Sequence, residues 1–425
     1  METHILKFDE ISHIIHCGDI HIRNVKRQKE YKIVFDRFIE QCKVLVKQHP
    51  KTVIYCGGDI VHSKLDLSPE SVNLTQYFLK ELSNIAPLIL ITGNHDCNLN
   101  NTYRLDALTP IVDAIASDNI YYLKDSGHYC IGDVDFAVMS LWDHPKDFLN
   151  SNDVKRKGKT AIALHHGAVD HATTDLGYLL NNEHLTTSKF DGFDFTLLAD
   201  IHKRQFLDTN ETQAYCGSLI QQNHAEILDK GFLFWDLKKK KAEYHPVRND
   251  YGYVTLEVNK GTVTQSKYNI PVKPRIRLKI QDTDVSDIKQ ILTEVKTKYD
   301  VKEVALQRIN TKSKSENTTS HINIGNVRDV EFQNSLITDY LHYTHPDIDT
   351  KVVNIIKDIN RTTNKKIPEF NEARNCVIKL KHLKFENMFS YGMDNFVNFE
   401  KMNGTYGLFA PNTAGKTSLL EIMLF

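Results

Sequence analysis

The chain has 425 residues, room for two to four domains at roughly 150 residues each. Its 53 Lys and Arg against 54 Asp and Glu leave a net charge of −1, which excludes a generally basic nucleic-acid coat and confines any DNA contact to local patches. No apolar run approaches the ~18 residues of a membrane span, no apolar signal core opens the chain, and the 7 scattered cysteines lack a CxxC pair, so the composition reads as a soluble intracellular protein with reduced thiols.

In chain order, the first half alternates strands with helices. Ser12 to Cys17 is a short apolar run ending at Gly18-Asp19, and Tyr31, Val34, Phe35, Phe38, Cys42 and Leu45 then recur at helical spacing. Thr52 to Cys56 is a strand ending at Gly57-Gly58-Asp59. Ser68-Pro69 opens a helix, and Leu88 to Ile91 is a strand ending at Gly93-Asn94-His95-Asp96. After Asn119 come short strands, then Ala161 to Leu164 before His165-His166 and Phe195 to Leu198 before Ala199-Asp200-Ile201-His202. This alternation predicts an α/β fold with largely parallel sheets. From Asp250 a small α+β module follows, with the strand Arg275 to Ile280 and a helix marked by Val285, Ile288, Ile291, Leu292 and Val295. Residues 329–360 read as helical, broken at His345-Pro346, and residues 361–375 as a polar linker. A last region begins at Cys376 with strand-like Val377 to Leu380 and Phe396 to Phe399.

Five successive strand ends carry Asp19-x-His21, Gly58-Asp59, Gly93-Asn94-His95-Asp96, His165 and Asp200-x-His202. Each alone is a turn or the start of a capped helix. Together, and in this order, they supply carboxylates, imidazoles and one amide oxygen without thiolates, a donor set for Mn, Fe, Zn or Mg. Two ions about 3.5–4 Å apart need a shared ligand, and Asp59 is the natural bridge.

This series resembles the calcineurin-like metallophosphoesterases. Gly58-Asp59-Ile60-Val61-His62, Leu164-His165-His166-Gly167 and Tyr215-Cys216-Gly217-Ser218 are similar to the SbcD-type nucleases of double-strand-break repair, over roughly residues 10–345. The resemblance implies a four-layer αββα sandwich with a small DNA-capping domain. It also implies that Asp19, His21 and His202 hold one ion, that Asn94, His165 and Asp200 hold the other, and that Asp59 bridges them. His95 then faces substrate as the catalytic group, with His62 positioning it; a helix-capping His62 is the other reading. The doublet leaves His165 and His166 open by one residue. Asp96 is expected to tie down its loop. Where the family has Gly-His-x-His, this chain has Ala199-Asp200-Ile201-His202, which favours Mn or Mg over Zn or leaves a weakened second ion.

Ala410-Pro411-Asn412-Thr413-Ala414-Gly415-Lys416-Thr417 lies between a strand and a helix and reads as a phosphate loop whose first glycine is Ala410. Asn412, Ala414 and Gly415 would cradle phosphates, Lys416 would reach the terminal ones, and Thr417 would hold Mg. With Phe385 to Gly392 before it, this stretch resembles the start of the SbcC-type, SMC-like ATPase that partners such nucleases. With no Walker B acid following, ATP-Mg is expected only for a complete head, and residues 376–425 are expected to be a fragment of one.

The expected division is a nuclease domain over 1–249, a capping module over 250–328, a helical tether and linker over 329–375, and a partial ATPase lobe over 376–425. The expected function is a Mn-dependent DNA exonuclease and endonuclease at DNA ends. Its rivals are a phosphoesterase for cyclic nucleotides or phosphoproteins and a non-catalytic DNA-end scaffold. A homodimer is expected through residues 65–82 and 103–115. The helix after Pro69 carries Tyr77 and Leu79 off its Leu74, Phe78, Leu82 stripe, which is more apolar surface than one contact needs.

Overall fold

The computed structural model describes residues 2–4, 10–99, 101, 103–154, 156, 158, 160–182, 184–263, 269–309, 330–344, 348–365, 380–400, 402, 408 and 415–423. It divides into two compact units, Met1–Ser315 and Glu316–Phe425. The strands of the first unit begin with β1 (Glu2–His4), β2 (His13–Cys17), β3 (Thr52–Cys56), β4 (Leu88–Leu90), β5 (Ile120–Tyr122), β6 (Gly127–Ile131), β7 (Val134–Met139), β8 (Thr160–His166) and β9 (Phe195–Ala199). They continue with β10 (Gln205–Phe206), β11 (Gln213–Tyr215), β12 (Gly231–Asp236), β13 (Lys241–Pro246), β14 (Tyr251–Asn259), β15 (Thr262–Val263), β16 (Lys273–Gln281) and β17 (Glu303–Arg308). Helices α1 (Gln28–Gln48), α2 (Pro69–Ile85), α3 (Thr109–Ile115) and α4 (Val285–Lys298) lie between them.

Two sheets stack face to face, one of six strands in the order β13-β12-β2-β3-β4-β5 and one of seven in the order β1-β6-β7-β8-β9-β11-β10. Ile14, Val53, Tyr55 and Ile89 of the first meet Phe136, Val138, Ile162, Leu164 and Leu197 of the second in one core. The alternate residues Ile15, Ile54 and Cys56 pack outward against Phe35 and Phe38 of α1 and Phe78 and Leu79 of α2. These strands are mostly apolar because both of their faces are buried, with His16 and Thr52 as buried polar exceptions. The outer face of the seven-stranded sheet differs from the expected fourth layer of helices. Among the described residues Met139, Ala163 and Leu198 are covered by Phe148, Val169, Leu185 and Phe190, which sit on loops and 3₁₀ turns.

Ser68 caps α2, its hydroxyl accepting from the Ser71 N–H at 3.2 Å. Leu79 is fully buried and the Tyr77 hydroxyl donates to Asp36 at 2.7 Å, so the apolar surplus of α2 is used inside the domain. That removes the sequence argument for pairing through this helix.

The small sheet β15-β14-β16-β17 with α4 has its own core, including Val254, Ile276, Leu278 and Ile291. It nevertheless belongs to the same compact unit as the two large sheets. A buried ion cluster joins them. Glu30 of α1 receives Arg27 Nε and Nη2 at 2.9 and 2.8 Å, Arg275 Nη2 of β16 at 2.7 Å and Asn249 Nδ2 at 2.9 Å.

The second unit, described by itself, contains α5 (Val330–Thr344) and α6 (Thr350–Asn364), joined by Asn360 to Asn334 at 3.0 Å and Arg361 to Glu331 at 3.3 Å. It also contains the antiparallel pair β18 (His382–Phe385) and β19 (Asn395–Asn398) and the short helix α7 (Lys416–Ile422). Of the strand expected at Val377 to Leu380, residues 377–379 lie outside the described residues; β18 follows at His382–Phe385. No helix among the described residues is long and apolar enough to cross a membrane.

Burial raises the Glu30 pKa, but hydrogen bonds and charge from Arg27, then Arg275, outweigh it and hold the carboxyl below the ordinary value of 4.5. Its stabilisation is therefore complete above pH 4.5 and is lost as pH falls through the lower folded value. Glu30→Ala leaves two buried guanidinium groups without their carboxylate. Urea unfolding at neutral pH should show a loss of about 3 kcal/mol, and a loss under about 0.5 kcal/mol would contradict this account of the junction.

Candidate metal centre

The loops that end β2 and β3 continue side by side. Asp19 N–H donates to Gly58 O at 3.1 Å, Ile20 and His21 N–H both reach Asp59 O at 2.9 Å, and Ile22 N–H reaches Ile60 O at 2.8 Å. This pairing brings the first two sequence clusters together. Asp19, His21, Asp59 and Asp200 all sit in the left-handed region, at φ 52°, 53°, 53° and 91°. Four such non-glycine residues at one spot mark strain concentrated at a site. Gly58, at φ 93°, and Gly93 are required there, because a Cβ on Gly58 would collide with the Gly93 backbone and one on Gly93 with Asp59.

Donor atoms converge. His21 Nε2 lies 3.0 Å from His202 Nε2 and 3.5 Å from Asp59 Oδ2. Asp19, His21 and His202 offer atoms within 4.8 Å of one another, as do Asp19, Asp59 and His166. The Asp200 N–H donates to both oxygens of Asp19, at 3.0 and 3.2 Å, and Asp200 Oδ1 lies 3.7 Å from His166 Nε2. Among the described residues, the buried atoms here that make no hydrogen bond include His166 Nε2, 3.5 Å from Asp59 Oδ1, as well as His21 Nδ1, His62 Nδ1 and Asn94 Oδ1.

His165 is not among them. Strand β8 alternates, so His165 turns to the outer face, where Nδ1 donates to Met139 O at 2.7 Å and the ring packs on Phe148. His166 turns inward, its Nδ1–H donating to Gly57 O at 2.8 Å, which aims Nε2 at Asp59 and Asp200. The member of the doublet in the cluster is thus His166. Asp96 is fully buried and accepts from Val61 N–H and Gly93 N–H, both at 3.0 Å, which binds the third loop to the second.

The electrostatics follow from burial. It pushes the Asp19 carboxyl up to about 6; His202 and His166 pull it down, while Asp59 and Asp200 raise it further. His166 is driven up to about 10: burial opposes its charge, and the Asp59 carboxylate, then Asp200 and Asp19, prevails. The buried carboxylates of Asp19 and Asp59, with the half-buried Asp200 beside them, therefore favour positive charge on the imidazole. Carboxylate and amide oxygens with imidazole nitrogens, His166 Nε2 and Asn94 Oδ1 among them buried and unpartnered, fit divalent cations.

Glu226, which no motif signalled, accepts His202 Nδ1–H at 2.9 Å and thereby turns Nε2 to the cluster. It also takes Ser218 Oγ at 3.2 Å, the Gln222 N–H at 3.0 Å and the buried Lys230 at 3.1 Å. Burial raises its carboxyl, and the bonds from His202 and Lys230 reverse that and hold it down at about 2. A cavity of about 150 Å³ opens beside His202, between Arg204, Lys230 and Tyr244.

On the other side, His62 and His95 stack with centroids 5.3 Å apart. His95 Nδ1–H donates to His62 O at 2.8 Å, and the His95 ring meets His21 edge-on at 4.7 Å. His21, His62 and His95 also offer nitrogens within 4.8 Å, but Arg23 Nη1 stands 3.0 Å from His62 Nε2, and a guanidinium there repels a cation.

Of the phosphate-loop residues, Asn412 and Ala414 lie outside the described residues. Gly415, at φ 85°, caps α7 and accepts the Tyr391 hydroxyl at 3.0 Å; Lys416 and Thr417 open that helix.

His166→Ala should weaken divalent-metal binding, read by calorimetric titration with Mn, by at least about tenfold, and His165→Ala should leave it within about twofold. The reverse ranking would restore His165.

The model of the calcineurin-like phosphoesterase family matches residues 12–217. Over 438 residues the chain is 36% identical to the uncharacterized protein R555 of Acanthamoeba polyphaga mimivirus, covering 98% of this chain and 32% of that protein. The chain thus spans about a third of the length of that curated relative. With strand ends, donor set and matched residues in agreement, residues 12–217 are a calcineurin-like metallophosphoesterase domain, the fold of a metal-dependent hydrolase.

Proposed function

We propose that this chain is a two-metal, Mn-dependent DNA nuclease that hydrolyses phosphodiester bonds at DNA ends and is regulated by an SMC-like ATPase. The observation that carries the metal part is the convergence of Asp19, His21, Asp59, His166 and His202 around buried unpartnered atoms. Asp19, His21 and His202 would hold one ion and Asn94, His166 and Asp200 the other, and Asp59, with one oxygen toward His21 and one toward His166, would be shared between them. Bound divalent ions supply Lewis acidity toward phosphoryl oxygens and lower the pKa of a water.

The chain's own part is to orient and to move a proton. His62 O fixes the Nδ1–H of His95, which leaves His95 Nε2 for the leaving oxygen. Glu226 holds His202, and Gly57 O holds His166. DNA is favoured over cyclic nucleotides or phosphoproteins by three features. These are the SbcD-like segments around His62, His165-His166 and Cys216, the small sheet bolted to α1 through Glu30, and the SbcC-like sequence stretches Phe385 to Gly392 and Pro411 to Ser418. Homodimerisation through the regions 65–82 and 103–115 belongs to the proposal, carried by the exposed Leu65 ahead of α2 and the exposed Tyr103 and Leu105 ahead of α3.

His95→Ala should retain the wild-type Mn stoichiometry and lose at least about a hundredfold in turnover of linear duplex DNA. Loss of metal in that variant would place His95 among the ligands instead. Cleavage of cyclic nucleotides or phosphopeptides with no cleavage of duplex DNA would reject the nuclease reading.

A further inference from the structure

Arg23 has no role in the donor cluster, yet it stands at its edge. Ile22 bridges Val61, and the His62 N–H donates to Ile22 O at 3.0 Å, so the backbone holds residues 23 and 62 together. Arg23 Nη1 is 3.0 Å from His62 Nε2. A guanidinium only donates, so this Nε2 accepts and the neutral ring carries its proton on Nδ1.

Most arginines of the first unit pair with carboxylates: Arg27 and Arg275 with Glu30, Arg37 and Arg248 with Asp250, Arg156 with Asp194. Arg23 is half-buried, and among the described residues no carboxylate lies within ion-pair distance of it. Its Nε is buried without a hydrogen-bond partner. A fixed cation with an unfilled planar fork, beside histidines whose nitrogens lie within 4.8 Å of His21, lacks an anion.

We propose that Arg23 is a substrate-binding residue whose guanidinium donates to a non-bridging oxygen of the phosphate held at the centre. The carboxylates of the cluster cannot serve as its anion, since they are taken up with His21, His166 and the Asp200 amide. Substrate phosphate supplies the missing charge, and the His62 contact keeps the fork from collapsing onto those carboxylates before substrate arrives. This inference rests on the phosphodiesterase reading above and adds to it the residue that grips the phosphate from beside His62.

The test is calorimetric titration of inorganic phosphate into the Mn-loaded full chain. Arg23→Gln keeps a donor for His62 and removes the charge and the fork. It should weaken phosphate binding by about tenfold or more, with unchanged Mn stoichiometry and thermal midpoint. Arg23→Lys, which keeps the charge alone, should fall between it and wild type. A purely structural Arg23 predicts equal phosphate affinity in all three, and that result overturns the proposal. Should the Gln variant not fold, the Lys variant decides: weakening of about threefold or more supports the fork, and unchanged affinity overturns it. A wild-type chain that takes up no Mn would overturn the reading of the centre itself, whereas Mn uptake with indifferent Arg23 variants would overturn only this assignment.

Discussion

Three carboxylates, of Asp19, Asp59 and Asp200, meet where burial penalises every charge, and the surrounding structure is arranged to make that tolerable. Backbone amides neutralise part of it: the Asp200 N–H binds both oxygens of Asp19, and the His95 N–H binds Asp59 at 2.8 Å. Imidazoles supply the rest, with His166, against the cost of burial, pushed up to about 10 by the carboxylates of Asp59, Asp200 and Asp19. A protein without a use for a cation would not gather three acids and the histidines His21, His166 and His202 at the open ends of its strands.

The stacked sheets make this gathering possible. Each contributing loop leaves the end of a strand whose two faces are locked into cores, so the loops are held by rigid neighbours. The left-handed conformations of Asp19, His21, Asp59 and Asp200 are sustained by this support. Around the donors runs a ring of fixed partners, Glu226 for His202, Gly57 for His166 and Asp96 for the third loop. Glu226 is in turn anchored to Lys230, which also pairs with Asp175 at 3.3 Å, so the orientation of His202 depends on a buried charge chain outside the family motifs.

Much of this was legible in the sequence because the signal is repetitive. An apolar run ending in Gly and Asp, Asn or His recurs at each of the strands that build the centre, and the strands and α1 fall where periodicity puts them. What periodicity could not settle is phase at a strand end. The His165-His166 doublet is resolved only by which face of β8 meets the six-stranded sheet. Glu226 lies in an irregular loop, where spacing carries no information, and is recognisable only by its proximity to His202. The apolar surplus of α2 has two readings in sequence, a pairing surface or a helix wedged in the fold, and its contacts with α1, α3 and β4 bury more than one stripe. The outer layer read as helices is irregular because its cover, Phe148, Val169, Leu185 and Phe190, is scattered through polar sequence. The phosphate-loop residues Asn412 and Ala414 lie outside the described residues, so that part of the reading rests on motif alone.

The claim on which the rest depends is that Asp59 is shared by two cations. Anomalous diffraction at the manganese edge from crystals of the full chain grown with Mn tests it directly. The account predicts two peaks about 3.5–4 Å apart, both in bonding range of Asp59, with His21 and His202 on one and His166 on the other. A single peak, or two peaks that do not share Asp59, would contradict it.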